Sequence, residues 1–371
     1  MMKINSFPDT KKMRNKSIKS IACCLLLFNF NPAAYAVEKF IFIIGSDPQP
    51  WHLNNNQEGY NGDPNSSKNE ALWKSRTEPT YQSMRYLDAK FVIVNGDMTE
   101  YGRDNTWRDT EAAYSKAGIP ILYGLGNHDY NNNVHDCSDG INTYFDNCAG
   151  NSVVNKLWMK FGYRVPLSNY GGVAGLNIVR SDYKLTPPKG SGKYQLDGSL
   201  AYSFEYGGVH FIQLNMCPTY TVDLSIADYN IHISDSLKWL TDDINNAHKF
   251  GYKVILNYHT AWDYQSKGEN DSYVKCPQTE ELSKLLGMGD FIFTGHTHTI
   301  NINPGNIYGV RNFTSGALFN GEYFLVSVDN SGITVTAYNG LTGKPERVQQ
   351  TDWFGNNSDM PPRVEPWTKK P

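Results

Sequence analysis

The sequence predicts an α/β fold in which buried strands alternate with helices and polar loops follow the strand ends. Short, continuous apolar runs are the first indication, because strands buried on both faces of a sheet have this pattern. Segments of helical length between these runs are the second indication. Two stretches of alternating apolar and polar residues, each divided by a glycine-containing turn, add antiparallel hairpins to the later half of the chain.

Five apolar runs are predicted to be buried strands, and each leads into a polar loop. The runs are KFIFIIGSD, KFVIVNGD, IPILYGLGNHD, YKVILNYH and DFIFTGHTH. Helices are predicted between them, over residues 78–87, 105–116, 234–248 and 278–286. The predicted hairpins are LAYSFEYGGVHFIQLN and EYFLVSVDNSGITVTAYN. Catalytic loops are expected at the strand ends, as in other α/β proteins.

Two long polar stretches interrupt this alternation, and we interpret them as insertions at about 52–78 and 130–200 in a domain that spans 37–341. Loops of this length are usually functional or disordered. The second insertion, rich in Tyr, Asn and Gly, is interpreted as a cap that selects substrate, as a sugar-binding surface, or as an ordered loop without a ligand. Residues 342–371 carry many prolines and polar residues and are predicted to form a C-terminal tail.

Residues 1–36 have the features of a secretory signal peptide. Basic residues precede the short apolar run IACCLLLF, and Ala34-Tyr35-Ala36 supplies a small-x-small site, so cleavage is predicted after Ala36. The apolar run is well short of the roughly 20 residues that a membrane-spanning helix needs. We therefore expect a secreted or periplasmic protein with no transmembrane segment after cleavage.

The overall composition is that of a soluble globular protein. Of 371 residues, 19% are charged and 40% are hydrophobic, and the formal net charge is −3 at pH 7. A charge this small creates no strong field toward nucleic acids or anionic membranes, so nucleic-acid binding is not expected.

Four cysteines remain after the predicted cleavage, and an even number in an exported chain indicates disulfides. Cys137 and Cys148 lie in one polar segment and are suited to closing a local loop. That choice leaves Cys217 to pair with Cys276. Four cysteines permit three connectivities, so this pairing is a preference among them.

Residues with metal-ligand character follow the five predicted strands. In chain order they are Asp47-x-Gln49, Gly96-Asp97, Gly126-Asn127-His128-Asp129, His259 and Gly295-His296-Thr297-His298. A Gly-Asp pair often occurs by chance, and a single histidine is more often structural than a ligand. The motifs GNHD and GHTH are much less common, and their order after GD makes coincidence a poor explanation.

This set resembles the calcineurin-like metallophosphoesterase superfamily, whose pattern is D-x-H, G-D, G-N-H-[DE], H and G-H-x-H. GNHD and GHTH match completely, whereas the first motif has Gln49 where the family has histidine. The match runs from about Phe40 to the end of the second hairpin, without the two insertions. The resemblance implies a four-layer α-β-β-α sandwich of two mixed sheets with helices outside and a metal site at the strand ends.

The resemblance also implies two divalent metal ions and assigns their ligands. Asp97 is expected to bridge both ions, because two dications held close together need a shared anionic ligand. The residues expected to complete the first ion's ligands are Asp47, Gln49 and His298. Those expected to complete the second ion's ligands are Asn127, His259 and His296. This mixture of carboxylate, amide and imidazole donors suits Mn²⁺, Fe²⁺ or Zn²⁺.

Gln49 departs from the family pattern, and we expect it either to offer its amide oxygen to the first ion or to hold a water bound there. Either role leaves the first ion with one imidazole fewer, so we expect it to bind more weakly than the second ion. His52 is not expected to replace the missing imidazole, because Pro50 intervenes and the family's ligand lies closer to Asp47 in sequence.

His128 is not expected to be a ligand. The resemblance implies that it faces the substrate, stabilises charge on phosphorus and protonates the leaving oxygen. Asp129 is expected to hold the other ring nitrogen of His128 and raise its basicity. The alternative role for Asp129 is structural, as a turn residue whose carboxylate caps a local backbone amide. The purple acid phosphatase branch has a tyrosine three residues after the bridging aspartate, where this chain has Glu100.

The resulting hypothesis is an exported dinuclear-metal phosphoesterase that hydrolyses phosphate esters by attack of a metal-bridging hydroxide. We favour a phosphomonoesterase that acts on a small phosphorylated molecule or a phosphoprotein. A phosphodiesterase or nucleotidase of the same fold is the alternative, because the core motifs are shared. An inactive binding module is a third hypothesis. Gln49 supports it because it departs from the family's metal ligand, whereas the intact GNHD and GHTH motifs argue against it.

Overall fold

The computed structural model describes residues 36–53, 67–100, 102–129, 148–162, 176–260, 280–307, 309–353 and 357–360. The predicted signal peptide, apart from Ala36, lies outside these ranges. Within them, no helix has the length and apolar character needed to cross a membrane.

The strands in chain order are β1 (Phe40–Gly45), β2 (Val92–Asn95), β3 (Ile121–Gly124), β4 (Asn177–Ser181), β5 (Lys184–Thr186), β6 (Tyr194–Asp197), β7 (Tyr202–Tyr206), β8 (Val209–Gln213), β9 (Val222–Ile226), β10 (Tyr229–Ile233), β11 (Lys253–Asn257), β12 (Phe291–Thr294), β13 (Asn301–Ile307), β14 (Val310–Thr314), β15 (Glu322–Asp329), β16 (Gly332–Asn339), β17 (Lys344–Asp352) and β18 (Asn357–Met360). The helices are α1 (Glu70–Met84), α2 (Asp104–Tyr114), α3 (Cys148–Asn151), α4 (Leu237–Lys249) and α5 (Glu280–Leu286). A π-helical segment, Ser152–Gly162, continues from α3.

Two seven-stranded mixed sheets form the centre of the molecule. The first has the order β18-β17-β16-β15-β1-β2-β3, in which β1, β2 and β3 are parallel and the remaining neighbours are antiparallel. The second has the order β13-β14-β12-β11-β8-β7-β4, in which β14, β12, β11 and β8 are parallel. A smaller sheet, β5-β6-β10-β9, was not predicted.

Aromatic side chains join the facing surfaces of the two large sheets. The ring centroids of Phe42 on β1 and Phe211 on β8 lie 5.1 Å apart. On the other face of the second sheet, Ile212 packs with Leu240 and Ile244 of α4. On the first sheet, Ser83 of α1 hydrogen-bonds Tyr323 of β15 at 2.9 Å. Helices therefore lie outside both sheets, and the predicted α/β sandwich is confirmed.

The five predicted buried strands are confirmed as β1, β2, β3, β11 and β12, and both predicted hairpins form, as β7–β8 and β15–β16. Three predicted helices are confirmed as α2, α4 and α5, with ends that differ by a few residues.

The fourth predicted helix, over 78–87, was placed too late in the chain. Helix α1 begins at Glu70, inside the stretch interpreted as an insertion at 52–78. Its buried face contains Trp73, Thr77 and Tyr81, and the threonine conceals the helical spacing of the apolar residues. The Trp73 indole donates a hydrogen bond to the Pro48 carbonyl oxygen at 2.6 Å, so α1 supports the loop after β1.

The prediction of a tail over 342–371 was wrong for residues 344–352 and 357–360, which form β17 and β18. Strand β17 pairs with β16 over its whole length, for example Val348 with Thr336. Its polar sequence is that of a strand near a sheet edge, where charged residues and proline are tolerated. The stretch 130–200 also contains regular structure, namely α3, the π-helical segment and three strands, and the rest of that stretch lies outside the described ranges.

A buried charged cluster on the outer face of the second sheet centres on His210, which is 1% exposed. Its Nε2 lies 2.8 Å from Asp243 Oδ2, and its Nδ1 lies 3.4 Å from Glu205 Oε1. Arg180 contacts the same aspartate at 3.3 Å. Burial opposes the charged imidazole, but the hydrogen bond to Asp243 and the negative charge of Glu205 outweigh it and raise the pKa of His210 above its ordinary value.

This raised pKa predicts a pH dependence of stability. The stabilisation is fully present below the unfolded pKa of about 6.5 and is lost as pH rises through the higher folded pKa. The free energy of unfolding should therefore fall more steeply above neutral pH in the wild type than in His210→Asn, as measured by urea unfolding of the metal-saturated protein. His248→Asn, at an exposed position of α4, is the control and should keep the wild-type slope. Equal slopes for the wild type and His210→Asn would contradict the prediction.

Candidate dinuclear metal centre

The predicted ligands follow strand ends in both large sheets. Asp47 and Gln49 follow β1, Asp97 follows β2 and Asn127 follows β3. From the second sheet, His259 follows β11, and His296 and His298 follow β12. Because the carboxyl ends of parallel strands lie at one edge of a sheet, these loops meet at the same end of the sandwich.

The second ion's predicted ligands converge on His259. Its Nε2 lies 2.9 Å from Asn127 Oδ1, 3.2 Å from Asp97 Oδ2 and 3.2 Å from His296 Nδ1. The other ring nitrogen of His259, Nδ1, hydrogen-bonds the Asn95 carbonyl oxygen at 2.7 Å. That bond requires a proton on Nδ1 and so leaves the Nε2 lone pair for a metal ion.

The first ion's predicted ligands form an adjacent group. His298 Nε2 lies 3.3 Å from Asp47 Oδ1, and Asp47 also accepts a hydrogen bond from the His296 backbone nitrogen at 3.0 Å. The donor atoms of Asp47, Asp97 and His298 lie within 4.8 Å of one another, as do those of Asp97, His259 and His296. Asp97 belongs to both groups, which is the arrangement that a bridging ligand requires.

The carboxylate and amide oxygens of this centre fit divalent ions. Asp47 Oδ1, Gln49 Oε1 and Asp97 Oδ2 are buried and accept no hydrogen bond of good geometry from any residue that the structure describes, although an imidazole nitrogen lies within 3.3 Å of each of the two carboxylate oxygens. A buried polar atom without a partner costs about 1–3 kcal/mol. Metal ions would satisfy these oxygens, and the mixed donor set agrees with the predicted cofactors, two divalent ions.

The loop backbones at the centre have an unusual conformation. Five of the predicted ligands have positive φ, namely Asp47 (52°), Gln49 (29°), Asp97 (50°), His296 (73°) and His298 (55°). Residues other than glycine rarely adopt this region, and such strain concentrates at functional sites. Gly126 of the GNHD motif is needed for a different reason, because a Cβ there would collide with the Asp97 carboxylate.

His128 lies beside this centre, and its partner differs from the one predicted. Its Nδ1 lies 2.8 Å from Glu100 Oε1, and its backbone nitrogen donates to Asp97 Oδ1 at 2.9 Å. Glu100 is 2% exposed. Burial opposes the charged imidazole, but the carboxylates of Glu100 and Asp97 outweigh it and raise the pKa of His128 to about 10. Conversely, His128 lowers the pKa of Glu100 to about 2 against the effect of burial.

The predicted contact between Asp129 and His128 was therefore wrong, and Asp129 has the structural role that was its alternative. Its Oδ1 accepts hydrogen bonds from the Thr99 backbone and hydroxyl, each at 2.8 Å. Its Oδ2 accepts from the backbone nitrogens of Met98 at 3.0 Å and Gly126 at 2.9 Å. Asp129 thus ties the loop after β3 to the loop after β2, which leaves it no oxygen for the imidazole.

Replacement of Asp129 by asparagine should destabilise the fold, because one side-chain oxygen that accepts backbone hydrogen bonds becomes an NH₂ donor. We expect a loss of about 1–3 kcal/mol in the free energy of unfolding. Urea unfolding of Asp129→Asn and of Asp242→Asn, an exposed control on α4, measures this difference. Equal losses in the two variants would contradict the structural role.

Glu100 is the functional residue that the sequence interpretation missed. Its position in the sequence could have indicated a role at the site. Glu100 lies three residues after Asp97, where the purple acid phosphatase branch of the family has an active-site tyrosine. His52 also lies near the centre, with its ring 5.2 Å from that of His298 and 4.7 Å from that of Phe319. Among the residues described, however, His52 contributes to neither group of clustered donor atoms.

Two of the four candidate cysteines are within the described ranges. Cys148 and Cys217 are 1% and 5% exposed, and each interacts with a partner residue. Cys137 and Cys276 lie outside the described ranges. The pairing therefore stays a prediction.

The sequence profile of the calcineurin-like phosphoesterase family matches residues 46–299. This match covers all of the predicted ligands and more than half of the chain. The fold and the centre at the strand ends define a metallophosphoesterase. The chain belongs to the calcineurin-like phosphoesterase family and is a metal-dependent phosphoric ester hydrolase. No protein of curated function matches it by sequence.

Several solved structures are similar to this chain. A dimetal phosphatase from Danio rerio has 10% identity and a TM-score of 0.46, over 80% of this chain and 95% of that one. A purple acid phosphatase from seeds of yellow lupin (Lupinus luteus) has 13% identity and a TM-score of 0.47, over 85% of this chain and 54% of that one. The NAD nucleotidase of Haemophilus influenzae has 12% identity and a TM-score of 0.37, over 88% and 54%.

Proposed function

We propose that this protein is an exported phosphomonoesterase with a dinuclear divalent metal centre. The observation that carries the proposal is the pair of donor groups that share Asp97, with His128 beside them. Two bound ions would neutralise phosphoryl oxygens and supply an activated water nucleophile. The substrate would be a small phosphorylated molecule or a phosphoprotein.

The role of His128 follows from its contact with Glu100. Because Nδ1 is held by the carboxylate, Nε2 is the nitrogen that can give a proton to the leaving oxygen. Burial opposes the charged imidazole, but the Glu100 carboxylate raises the pKa of His128 and so favours the protonated form that a general acid needs. The side chain is 24% exposed and is therefore accessible to a substrate.

The charge at the centre favours monoesters over diesters. A phosphate monoester carries one more negative charge than a diester near neutral pH. Two divalent ions would give the site a high positive charge, and such a site would stabilise the more highly charged substrate better. A phosphodiesterase or nucleotidase remains the competing hypothesis, because the same residues would serve either reaction.

Hydrolysis of p-nitrophenyl phosphate and bis-p-nitrophenyl phosphate by the Mn²⁺-loaded protein tests the proposal. We expect the monoester to be hydrolysed with the higher kcat/KM. A higher value for the diester would overturn the monoester preference in favour of the phosphodiesterase. No turnover of either ester with Mn²⁺, Fe²⁺ or Zn²⁺ would overturn the proposal for simple phosphate esters.

Export is proposed from the N-terminal signal, with a secreted or periplasmic destination. N-terminal sequencing of the exported protein should begin at Val37, directly after the predicted cleavage site. A chain that stays inside the expressing cell with its N-terminus intact would overturn this part of the proposal.

A further inference from the structure

Gln49 stands where the family has an imidazole ligand, and its side chain is fully buried. Its amide nitrogen donates a hydrogen bond to Glu100 Oε2 at 3.3 Å. Its amide oxygen, Oε1, accepts no hydrogen bond from the part of the chain that the structure describes. The two ends of this amide are therefore in different surroundings, and one of them is a buried acceptor that needs a ligand.

The contact with Glu100 fixes which end of the amide faces which way. A carboxylate only accepts hydrogen bonds, so the NH₂ end of Gln49 must face it, and a reversed amide would place oxygen against oxygen. The backbone supports the same placement, because Gln49 N donates to the Asp97 carbonyl oxygen at 3.2 Å. Gln49 is thus anchored to the residue that both metal-ligand groups share, with its oxygen directed away from Glu100.

Glu100 orients two groups at once. Its Oε2 accepts a hydrogen bond from the amide nitrogen of Gln49, and its Oε1 forms a hydrogen bond with Nδ1 of His128 at 2.8 Å. With both oxygens engaged and 2% of its surface exposed, this carboxylate has little freedom to rotate.

We propose that Glu100 positions Gln49 as an oxygen ligand and thereby makes the first metal site prefer a harder divalent ion than the second site does. This inference rests on the proposed function, because it takes the dinuclear centre as given. The first site would then contain oxygens of Asp47, Asp97 and Gln49 and one imidazole, His298. The second would contain oxygens of Asp97 and Asn127 and two imidazoles, His259 and His296.

These donor sets differ in the ions that they favour. Carboxylate and carbonyl oxygens suit Mn²⁺, whereas imidazole nitrogens suit Zn²⁺. Sites made of nitrogen and oxygen donors in general bind Zn²⁺ more tightly than Mn²⁺. The two metal sites should therefore differ in how strongly each prefers Zn²⁺ over Mn²⁺. The preference for Zn²⁺ should be smaller at the first site, which has one imidazole, than at the second, which has two.

Competition between the two ions tests the inference without measuring turnover. The Mn²⁺-loaded protein is titrated with Zn²⁺ in a metal buffer, and bound metals are counted by mass spectrometry while electron paramagnetic resonance reports Mn²⁺. We expect displacement in two steps separated by about tenfold or more in free Zn²⁺. Between the steps, the spectrum should be that of one isolated Mn²⁺ per chain. In Gln49→His, which restores the family's imidazole, the two steps should merge.

Glu100→Gln is the variant that isolates the positioning role. A glutamine can offer its own NH₂ group to Gln49, which allows the Gln49 amide to reverse and turn its oxygen away from the ion. The affinity of the first site for Mn²⁺ should fall about tenfold, and that of the second site for Zn²⁺ should not change. Glu111→Gln is the matched control, because the Glu111 side chain is 39% exposed and pairs with Lys156, and it should bind both ions as the wild type does.

Three results would overturn the inference. They are displacement of both Mn²⁺ ions in one step from the wild type, two unchanged steps in Gln49→His, and unchanged Mn²⁺ affinity in Glu100→Gln. If any one of these results is obtained and the wild type still hydrolyses p-nitrophenyl phosphate, the inference fails while the proposed function stands. A wild type that binds no divalent ion would remove the basis of both.

Discussion

Asp97→Asn is expected to weaken both metal ions at once and to abolish most of the activity. The side chain keeps its size and can still accept the hydrogen bond from the His128 backbone, but it loses the negative charge that two neighbouring dications share. Loss of a residue that only hydrogen-bonds a metal ligand costs roughly 10–100-fold in affinity. We therefore expect loss of a bridging ligand to lower the affinity for each ion by at least about 100-fold.

Metal stoichiometry after dialysis, together with the kcat of the dialysed protein, measures this effect. Asp242→Asn makes the same chemical change at an exposed position of α4 and should retain both ions. If Asp97→Asn loses one ion and keeps the other at the wild-type affinity, the bridge has been assigned to the wrong residue.

His128→Ala is expected to lower kcat by about 10²–10⁴-fold, which is the range for removal of a general acid. Metal content should stay near that of the wild type, because the imidazole belongs to neither donor group. The separation of these two readouts distinguishes an acid from a ligand.

His248→Ala is the control for this variant, since it removes an exposed imidazole from α4 and should leave kcat unchanged. Loss of metal from His128→Ala in step with its activity would show that the side chain is a ligand after all.

Most of the fold could be predicted because its strands carry strong local signals. Runs such as KFIFII are apolar throughout, and buried parallel strands require this of their own residues. The elements that escaped prediction depend on partners elsewhere in the chain. Strand β17 is polar and gains its structure by pairing with β16. Helix α1 is anchored by Trp73, which packs below the loop that contains Pro48.

The candidate ligands could be predicted for a different reason. Metal coordination requires particular side chains at strand ends, so the donors appear in the sequence as short motifs. The partners of those donors carry no such motif. Asp129 was assigned to His128 by the family resemblance, yet its oxygens accept hydrogen bonds from backbone amides of the loop after β2. Glu100 reaches His128 across 28 residues of sequence, and only the folded loops bring them together.

Crystals of the protein soaked with Mn²⁺ offer the most direct test of the dinuclear centre. An anomalous difference map should show two peaks about 3.5–4 Å apart, with the Asp97 carboxylate between them. A single peak, or two peaks of which neither contacts Asp97, would contradict the shared-ligand centre.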